Sequence, residues 1–313
     1  MANSFAPTTQ TVEIRPIPRA TTFAIDKGGV GKTSCSANVA GQAASAGYKT
    51  LIIDLDPVGS LHSDLGYPKN SGTELFDALR KGNPLPILEA IRPNLDVVVG
   101  GEELRDLQGI LFSRGQSAIE GFASMLSLSL GAIADPYDFI VIDTPPGDPW
   151  ITEGALCVSA ALVIPTRSDD GSLDAVENTA HKFMRARHFN PDLRLAGALL
   201  FGIGSMSRRI ARQTRERLDE MLGDAAPVFN TRIRYQETAA IDARRQGKLI
   251  HELSPAVQEA VKDRLLALQR GESPDEANGL LATNVGELAK EYTALTQEVL
   301  TRLTEIEEEI SNG

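Results

Sequence analysis

Short apolar runs alternate along this chain with longer amphipathic or small-residue stretches. The runs are Thr21–Ile25, Leu51–Leu55, Leu95–Val99, Phe139–Ile142, Ala161–Pro165 and Leu195–Phe201, and polar residues barely interrupt them. Segments of helix length lie between most of them. Strands that are apolar nearly throughout are buried on both faces, which indicates a parallel sheet covered by helices on each side. The expected fold class is therefore α/β, a mostly parallel twisted sheet flanked by helices on both faces, with further helices at the C-terminal end. No repeat of solenoid period is visible, so an array is not expected.

The two ends read differently. Residues 1–20 carry three prolines and little periodicity, as a flexible or peripheral arm does. Its Arg15 and Arg19 read either as contacts to a partner or DNA, or as part of a disordered leader. Near the other end, Val285, Leu288, Tyr292, Leu295, Val299, Leu303, Ile306 and Ile310 follow one another at spacings of 3 or 4, one stripe on a long helix. The stripe is barely long enough for a coiled coil. A closing helix packed on the sheet is the preferred reading, and a dimerisation helix the other. The domain reading is an arm over 1–20, a main α/β domain over 21–255, and a helical segment over 256–313 that packs on or extends it.

The first apolar run leads directly into Lys27-Gly28-Gly29-Val30-Gly31-Lys32-Thr33-Ser34, followed by a small-residue run from Ala37 to Ala44 suited to a helix pressed on a sheet. In a strand–loop–helix unit of this kind the glycines let backbone N–H groups turn in on phosphate oxygens, and the helix N-terminus adds its positive end. Lys32 supplies a cation for the β- and γ-phosphates, and the Thr33 hydroxyl a ligand for Mg2+. The standard pattern is G-x-x-x-x-G-K-[ST]. Here Asp26 occupies the first glycine position and an extra lysine, Lys27, follows it, which is the deviant Walker A signature of a P-loop NTPase.

Two more segments end where such a mechanism needs acids. The run from Leu51 closes on Asp54-Leu55-Asp56-Pro57, 22 and 24 residues after Lys32, and the run from Phe139 closes on Asp143-Thr144-Pro145-Pro146-Gly147. Ligands of open α/β sheets bind at the carboxyl ends of strands. Asp143 reads as the Walker B acid holding Mg2+, with Asp54 and Asp56 as candidates for organising the metal shell and the attacking water. Each alone would read as a turn aspartate; three at strand ends beside a phosphate loop point to chemistry. Gly59 and Gly147 suit switch loops that sense the γ-phosphate. Trp150, just beyond, reads as a switch-loop anchor or as plain packing, and Cys35 as a small core residue.

Composition narrows the function classes. At 313 residues, 42% hydrophobic and 23% charged, the chain is an ordinary globular protein. Its longest apolar runs have strand length, well short of the roughly 20 residues of a membrane span. The first residues lack the apolar core of a secretory signal, so a cytoplasmic protein is expected. Two cysteines, Cys35 and Cys157, form no C-x-x-C or Cys/His cluster, which argues against a disulfide framework or zinc site. The net charge of −11 is unevenly spread. Residues 200–250 hold ten Lys/Arg against six Asp/Glu, whereas 251–313 hold five against thirteen. In the basic stretch Arg208, Arg212 and Arg215 stand at i, i+4 and i+7, with Arg209 adjacent, and Ile210, Leu218, Met221 and Leu222 are expected largely on the opposite side. Arg232, Arg234, Arg244, Arg245 and Lys248 extend the patch. Such a stripe can neutralise DNA phosphates without reading bases; a solvated helix face laced with pairs such as Arg212–Glu216 is the other reading.

The chain resembles the ParA-type partition ATPases of the deviant Walker A superfamily. DKGGVGKTS looks like the family's first motif and IVIDTPPG like its Walker B segment. DLDPVGS is similar to a switch segment that is commonly D-x-D-P-Q-G, from which Val58 departs. A fainter likeness runs through AALVIPTRSD, LAGALLFGIGS and VFNTRIRYQE, so the resemblance covers roughly residues 20–255. It implies ATP and Mg2+ as ligands, Lys27 reaching the nucleotide of a facing subunit, Lys32 and Thr33 on phosphate and metal, and Asp56 activating water. It further implies an ATP-dependent homodimer, nonspecific binding to double-stranded DNA on the nucleoid, and slow hydrolysis stimulated by a ParB-like centromere-binding partner. A MinD-like membrane ATPase or an ATP-dependent positioning switch for a protein cargo is the alternative within the superfamily. The acidic end, Glu305 to Gly313, would be repelled by anionic lipid, so no membrane partner is expected. An iron-protein-like reductase would need two cysteines per subunit for a cluster, and Cys35 is committed to the helix after the loop. A small-molecule ligase or kinase on the same scaffold would need an acceptor pocket that the sequence does not reveal.

Overall fold

In the computed structural model the apolar runs become the centre of one eight-stranded sheet. The structure describes residues 13–312 apart from 114, 116, 205–207, 270–281 and 283. In chain order the elements are β1 (Ile17–Phe23), α1 (Lys32–Ser45), β2 (Thr50–Asp54), α2 (Leu61–Leu65), α3 (Thr73–Lys81), β3 (Leu88–Arg92) and β4 (Leu95–Val98). They continue with α4 (Asp106–Ser113), α5 (Ala118–Gly131), β5 (Phe139–Asp143), α6 (Pro149–Val158), β6 (Ser159–Thr166), α7 (Asp170–Phe189) and β7 (Arg194–Ile203). The last are α8 (Arg208–Leu222), β8 (Val228–Arg234), α9 (Glu237–Gln246), α10 (Ile250–Gln269) and α11 (Gly286–Asn312). The strand order is β3-β4-β2-β5-β1-β6-β7-β8, parallel except for the β3–β4 hairpin.

Alternation along the strands divides the core. Ile52, Val141 and Val163 face α1 and the C-terminal helices, while Leu51, Ile53, Ile140 and Ile142 face α3 to α6. Leu162 and Ile164 pack with α7 and α8. Two strands carry no apolar run and were invisible to the pattern. β3 is an edge hairpin strand with an exposed Leu88, and β8 is an edge strand interrupted by Asn230 and Thr231.

The expected start of the first strand needs correction. β1 begins at Ile17, which is buried in the core, and a register shift between Ile17 and Thr21 accompanies the left-handed φ of 64° at Arg19. The arm boundary at residue 20 therefore falls inside β1. Residues 1–12 of that arm lie outside the described residues. Arg15 donates its N–H to Ser127 Oγ at 2.8 Å, fastening the chain to α5 before the strand starts.

The C-terminal stripe is buried within the chain itself. Leu288, Tyr292, Leu295, Val299, Leu303 and Ile306 of α11 pack on α1, α10 and the β7–β8 edge. The same helix caps the edge strand. Glu298 accepts the N–H groups of Asn230 (2.6 Å) and Thr231 (2.8 Å), and Glu291 that of Arg234 (2.9 Å). Carboxylates laid on an otherwise open edge stop it from pairing with another chain.

Candidate nucleotide site

The glycine loop joins the carboxyl end of β1 to the first turn of α1. Gly31 is required there on two counts: its φ of 87° is left-handed, and a Cβ would stand 2.5 Å from the Phe201 ring. Val30 is buried and roots the loop in the core, while Gly28 and Gly29 have open space where a side chain would be. Lys32 is also buried, and its ammonium donates to the Lys27 carbonyl at 3.1 Å, folded back over the loop. Burial lowers its pKa, against the raising fields of Asp143, Asp56 and Asp26. The Thr33 hydroxyl lies 3.5 Å from that of Ser60, and Ser34 Oγ lies 3.5 Å from Asp64. Beside the loop opens a cavity of about 300 Å3 lined by Gly29, Gly31, Ser34, Arg167, Phe201 and Tyr235 among others. A larger groove of about 760 Å3 runs between α1 and α11 past Tyr48 and Thr304, at the opposite end of the strands, and carries none of the motif residues.

The parallel register brings the acids together. Asp54 is paired with Asp143 across β2 and β5, and Phe23 with Asp143 across β1 and β5, so three strand ends converge on the loop. Asp143 is 0% exposed, and among the described residues neither of its oxygens has a hydrogen-bond partner. Burial pushes its pKa up to about 7, although the nearby Thr33 hydroxyl and Lys32 ammonium draw it back. Asp54 accepts the Asp56 N–H on Oδ1 at 3.0 Å and leaves Oδ2 orphaned; burial and the neighbouring Asp143 push its pKa well up. Asp56 holds its own turn by accepting the Val58 N–H at 2.9 Å. Buried carboxylate oxygens without donors are rare in folded proteins and call for an account. Together with Thr33 they form a hard oxygen set of the kind Mg2+ takes, one or two carboxylates with water and phosphate completing the shell. The residues present fit that ion.

One helix contributes groups that the sequence pattern did not single out. The Lys27 ammonium turns within its own chain to the Asp169 carboxylate at the start of α7 and to Ser172 Oγ, 3.0 Å away. That pairing holds the Asp169 carboxyl below the usual range. Further along, Thr179 Oγ1 accepts the Asp26 N–H at 3.2 Å, and Lys182 reaches the Asp26 carboxylate at 3.0 Å. Ser172, Thr179 and Lys182 are all buried, at helical spacings of 7 and 3. Polar residues recurring on the buried stripe of an amphipathic helix were the available signal. Trp150 is buried and packs edge-on to Phe122 at 5.2 Å between ring centres.

Comparison with known proteins decides the family. Residues 19–195 match the family described as an AAA domain. The chain is 28% identical over 224 residues to the chromosome partitioning protein ParA of Caulobacter vibrioides, covering 69% of this chain and 82% of that protein. It is 31% identical over 178 residues to the sporulation initiation inhibitor protein Soj of Bacillus subtilis, covering 56% and 68%. The chain belongs to the ParA-type family of P-loop partition ATPases. Its fold is also that of the ATP complex of McdA from Cyanothece, with a TM-score of 0.68 at 18% identity over 91% of this chain and 97% of that one.

The basic patch of this ParA-type chain is smaller than its sequence suggests. The buried stripe of α8 is Ala211, Thr214, Leu218 and Leu222, so Ile210 and Met221 are exposed, at 49% and 43%, where the opposite face was expected to hold them. Arg215 donates to the carbonyls of Val228 (2.7 Å) and Phe229 (2.9 Å) and thereby ties α8 to β8. Arg234 is clamped by Glu291 at 2.7 Å, and Arg244 faces Asp64 at 3.5 Å. Arg215 and Arg234 are therefore corrected from free cations to internal links. Arg208 and Arg209 are exposed without an ionic partner among the described residues, and Arg232 is half-buried on β8. Arg212 lies 3.7 Å from Glu216, both exposed.

Proposed function

We propose that this chain is a slow, partner-stimulated, Mg2+-dependent ATPase that serves as a DNA-partition switch. The observation that carries the reading is the buried Asp54–Asp143 pair: among the described residues Asp54 Oδ2 and both Asp143 oxygens have no hydrogen-bond partner, beside a glycine loop whose lysine is itself buried. ATP phosphates lie along the backbone of Gly28 to Ser34, with Lys32 against the β- and γ-phosphates. Thr33, Asp143 and Asp54 hold Mg2+, which when bound neutralises phosphate charge. Asp56 orients the attacking water, and turnover is slow until the dimer and a partner complete the site. Lys27 exchanges Asp169 for the nucleotide of a facing subunit, so ATP assembles a homodimer and hydrolysis releases it. The elements from β1 to α9 act as the ATPase domain, with α10 and α11 packed on it.

In the dimer Arg208, Arg209, Arg212 and Arg232 meet the phosphates of double-stranded DNA without reading sequence, and a ParB-like centromere-binding protein stimulates hydrolysis. The working location is the nucleoid in the cytoplasm. No helix among the described residues is long and apolar enough to cross a membrane. The test is light scattering and a DNA mobility shift with Mg2+ and ATPγS, then with ADP. The triphosphate should double the mass and allow the shift, and ADP should do neither. Lys32→Ala should bind no nucleotide and remain monomeric. A wild-type chain that stays monomeric at saturating ATPγS overturns the switch.

A further inference from the structure

A carboxylate at the mouth of a phosphate loop is a chemical anomaly. The loop gathers N–H dipoles and an ammonium toward a polyanion, yet Asp26 replaces its first glycine. Uncompensated, that charge would repel bound phosphate, and a triphosphate more than a diphosphate. The structure answers it from α7. Lys182, with only 7% of its side chain exposed, sets its ammonium 3.0 Å from Asp26 Oδ1. A buried ammonium is stable only when paired, and among the described residues Asp26 is its ionic partner. One turn earlier, Thr179 Oγ1 accepts the Asp26 N–H and donates to the Ala175 carbonyl at 2.7 Å, so a neutral hydrogen bond fixes the backbone separately from the ion pair. Both charges reach the phosphate-binding ammonium: at Lys32, Asp26 favours the charged form and Lys182 opposes it.

We propose that Lys182 is a positioning residue of the nucleotide site, which anchors and neutralises Asp26 and thereby sets the preference of the loop for a nucleoside triphosphate over the diphosphate. It acts through Asp26 and touches no phosphate itself. The proposal rests on the ATPase reading of the same loop.

The experiment is titration calorimetry with ATPγS and with ADP in Mg2+ buffer, on wild type, Lys182→Met, Lys182→Arg and the double variant Asp26→Asn/Lys182→Met, each checked by thermal melting. Lys182→Met exposes the carboxylate and should weaken ATPγS on the order of tenfold while ADP loses less. Lys182→Arg keeps the charge and should retain the wild-type ratio. The double variant removes both charges and should return the ATPγS-to-ADP ratio to within about twofold of wild type. Equal losses for the two nucleotides, or a folded double variant whose ratio stays altered, would reduce Lys182 to a packing residue and overturn the proposal. If Lys182→Met does not fold, the double variant and Lys182→Arg still decide it. Wild type binding neither nucleotide would instead overturn the ATPase reading, and this proposal with it.

Discussion

The nucleotide end of the sheet and the basic face of α8 and β8 are both rich in charge, yet they treat it in opposite ways. At the strand ends both Asp143 oxygens and Asp54 Oδ2 are buried without a hydrogen-bond partner among the described residues, and the Lys32 ammonium is buried against the Lys27 carbonyl. On the basic face several arginines already have partners: Arg215 on two carbonyls, Arg234 on Glu291, and Arg217 on Asp170 at 2.9 Å. Unpaired buried charge costs stability and persists where a ligand will complete it. Paired charge on a surface holds the chain together and has little left to offer a ligand. The degree of internal satisfaction, rather than charge density, separates a binding site from a structural network here.

The sharpest way to break that comparison is to remove the unpaired acid. The folded protein holds the Asp143 proton up to about pH 7, whereas an unfolded aspartate releases it near 3.8. Between those values the folded state binds more protons at this group, so its contribution to stability is greatest at low pH and falls as pH rises through the window, by on the order of 2–4 kcal/mol. Asp143→Asn cannot ionise. In nucleotide-free buffer with EDTA, its urea midpoint should exceed that of wild type at pH 8 and fall level with it, or below, at pH 5, while hydrolysis is lost. A variant less stable at both pH values would show that Asp143 is structurally satisfied after all.

The same contrast explains what the sequence made legible. The glycine loop, Asp54, Asp56 and Asp143 were readable because backbone geometry fixes them: a strand end, a left-handed turn, and a register that pairs Asp54 with Asp143. Most strands were legible for the same reason, since burial on both faces demands an apolar run. β8 was not, because α11 rather than a second strand satisfies its Asn230 and Thr231, and that pairing spans 67 and 68 residues of sequence. Long side chains were the other blind spot. Helical spacing places Arg215 on α8, but only the structure shows its guanidinium on β8. Nor could spacing alone reveal that Lys182 and Asp169 of α7 engage consecutive residues of the loop.

The basic face supplies a medium-sized test. Arg215→Ala removes two charge-assisted hydrogen bonds at a partly exposed position and should cost about 1–2 kcal/mol of stability, read as a lower melting temperature. It should leave DNA affinity nearly intact once the protein is folded. Arg208→Glu with Arg209→Glu should do the reverse, moving stability within about 0.5 kcal/mol. That pair should weaken ATP-dependent DNA binding and flatten the plot of log affinity against log salt by roughly one unit for each phosphate no longer neutralised. Retention of the full salt slope by the double glutamate variant would remove both arginines from the DNA face.

Arg212 carries the smallest effect and divides the two classes. It stands 3.7 Å from Glu216 with 73% and 62% of the two side chains exposed, a spacing at which a helix pair contributes only about 0.3–0.5 kcal/mol in dilute salt. A pair that weak gives way readily to a DNA phosphate, whereas the Arg215 hydrogen bonds do not. Arg212→Ala should therefore lower the melting point slightly at low ionic strength and not at all in 0.5 M salt, a value set by a screening length on the order of a few ångströms. In the DNA assay it should reduce the salt slope by about one unit. Both readouts share a cause, because the same screening that dissolves the pair also weakens the attraction to phosphate. Loss of stability that persists in high salt, with an unchanged slope, would place Arg212 beside Arg215 among the internal links.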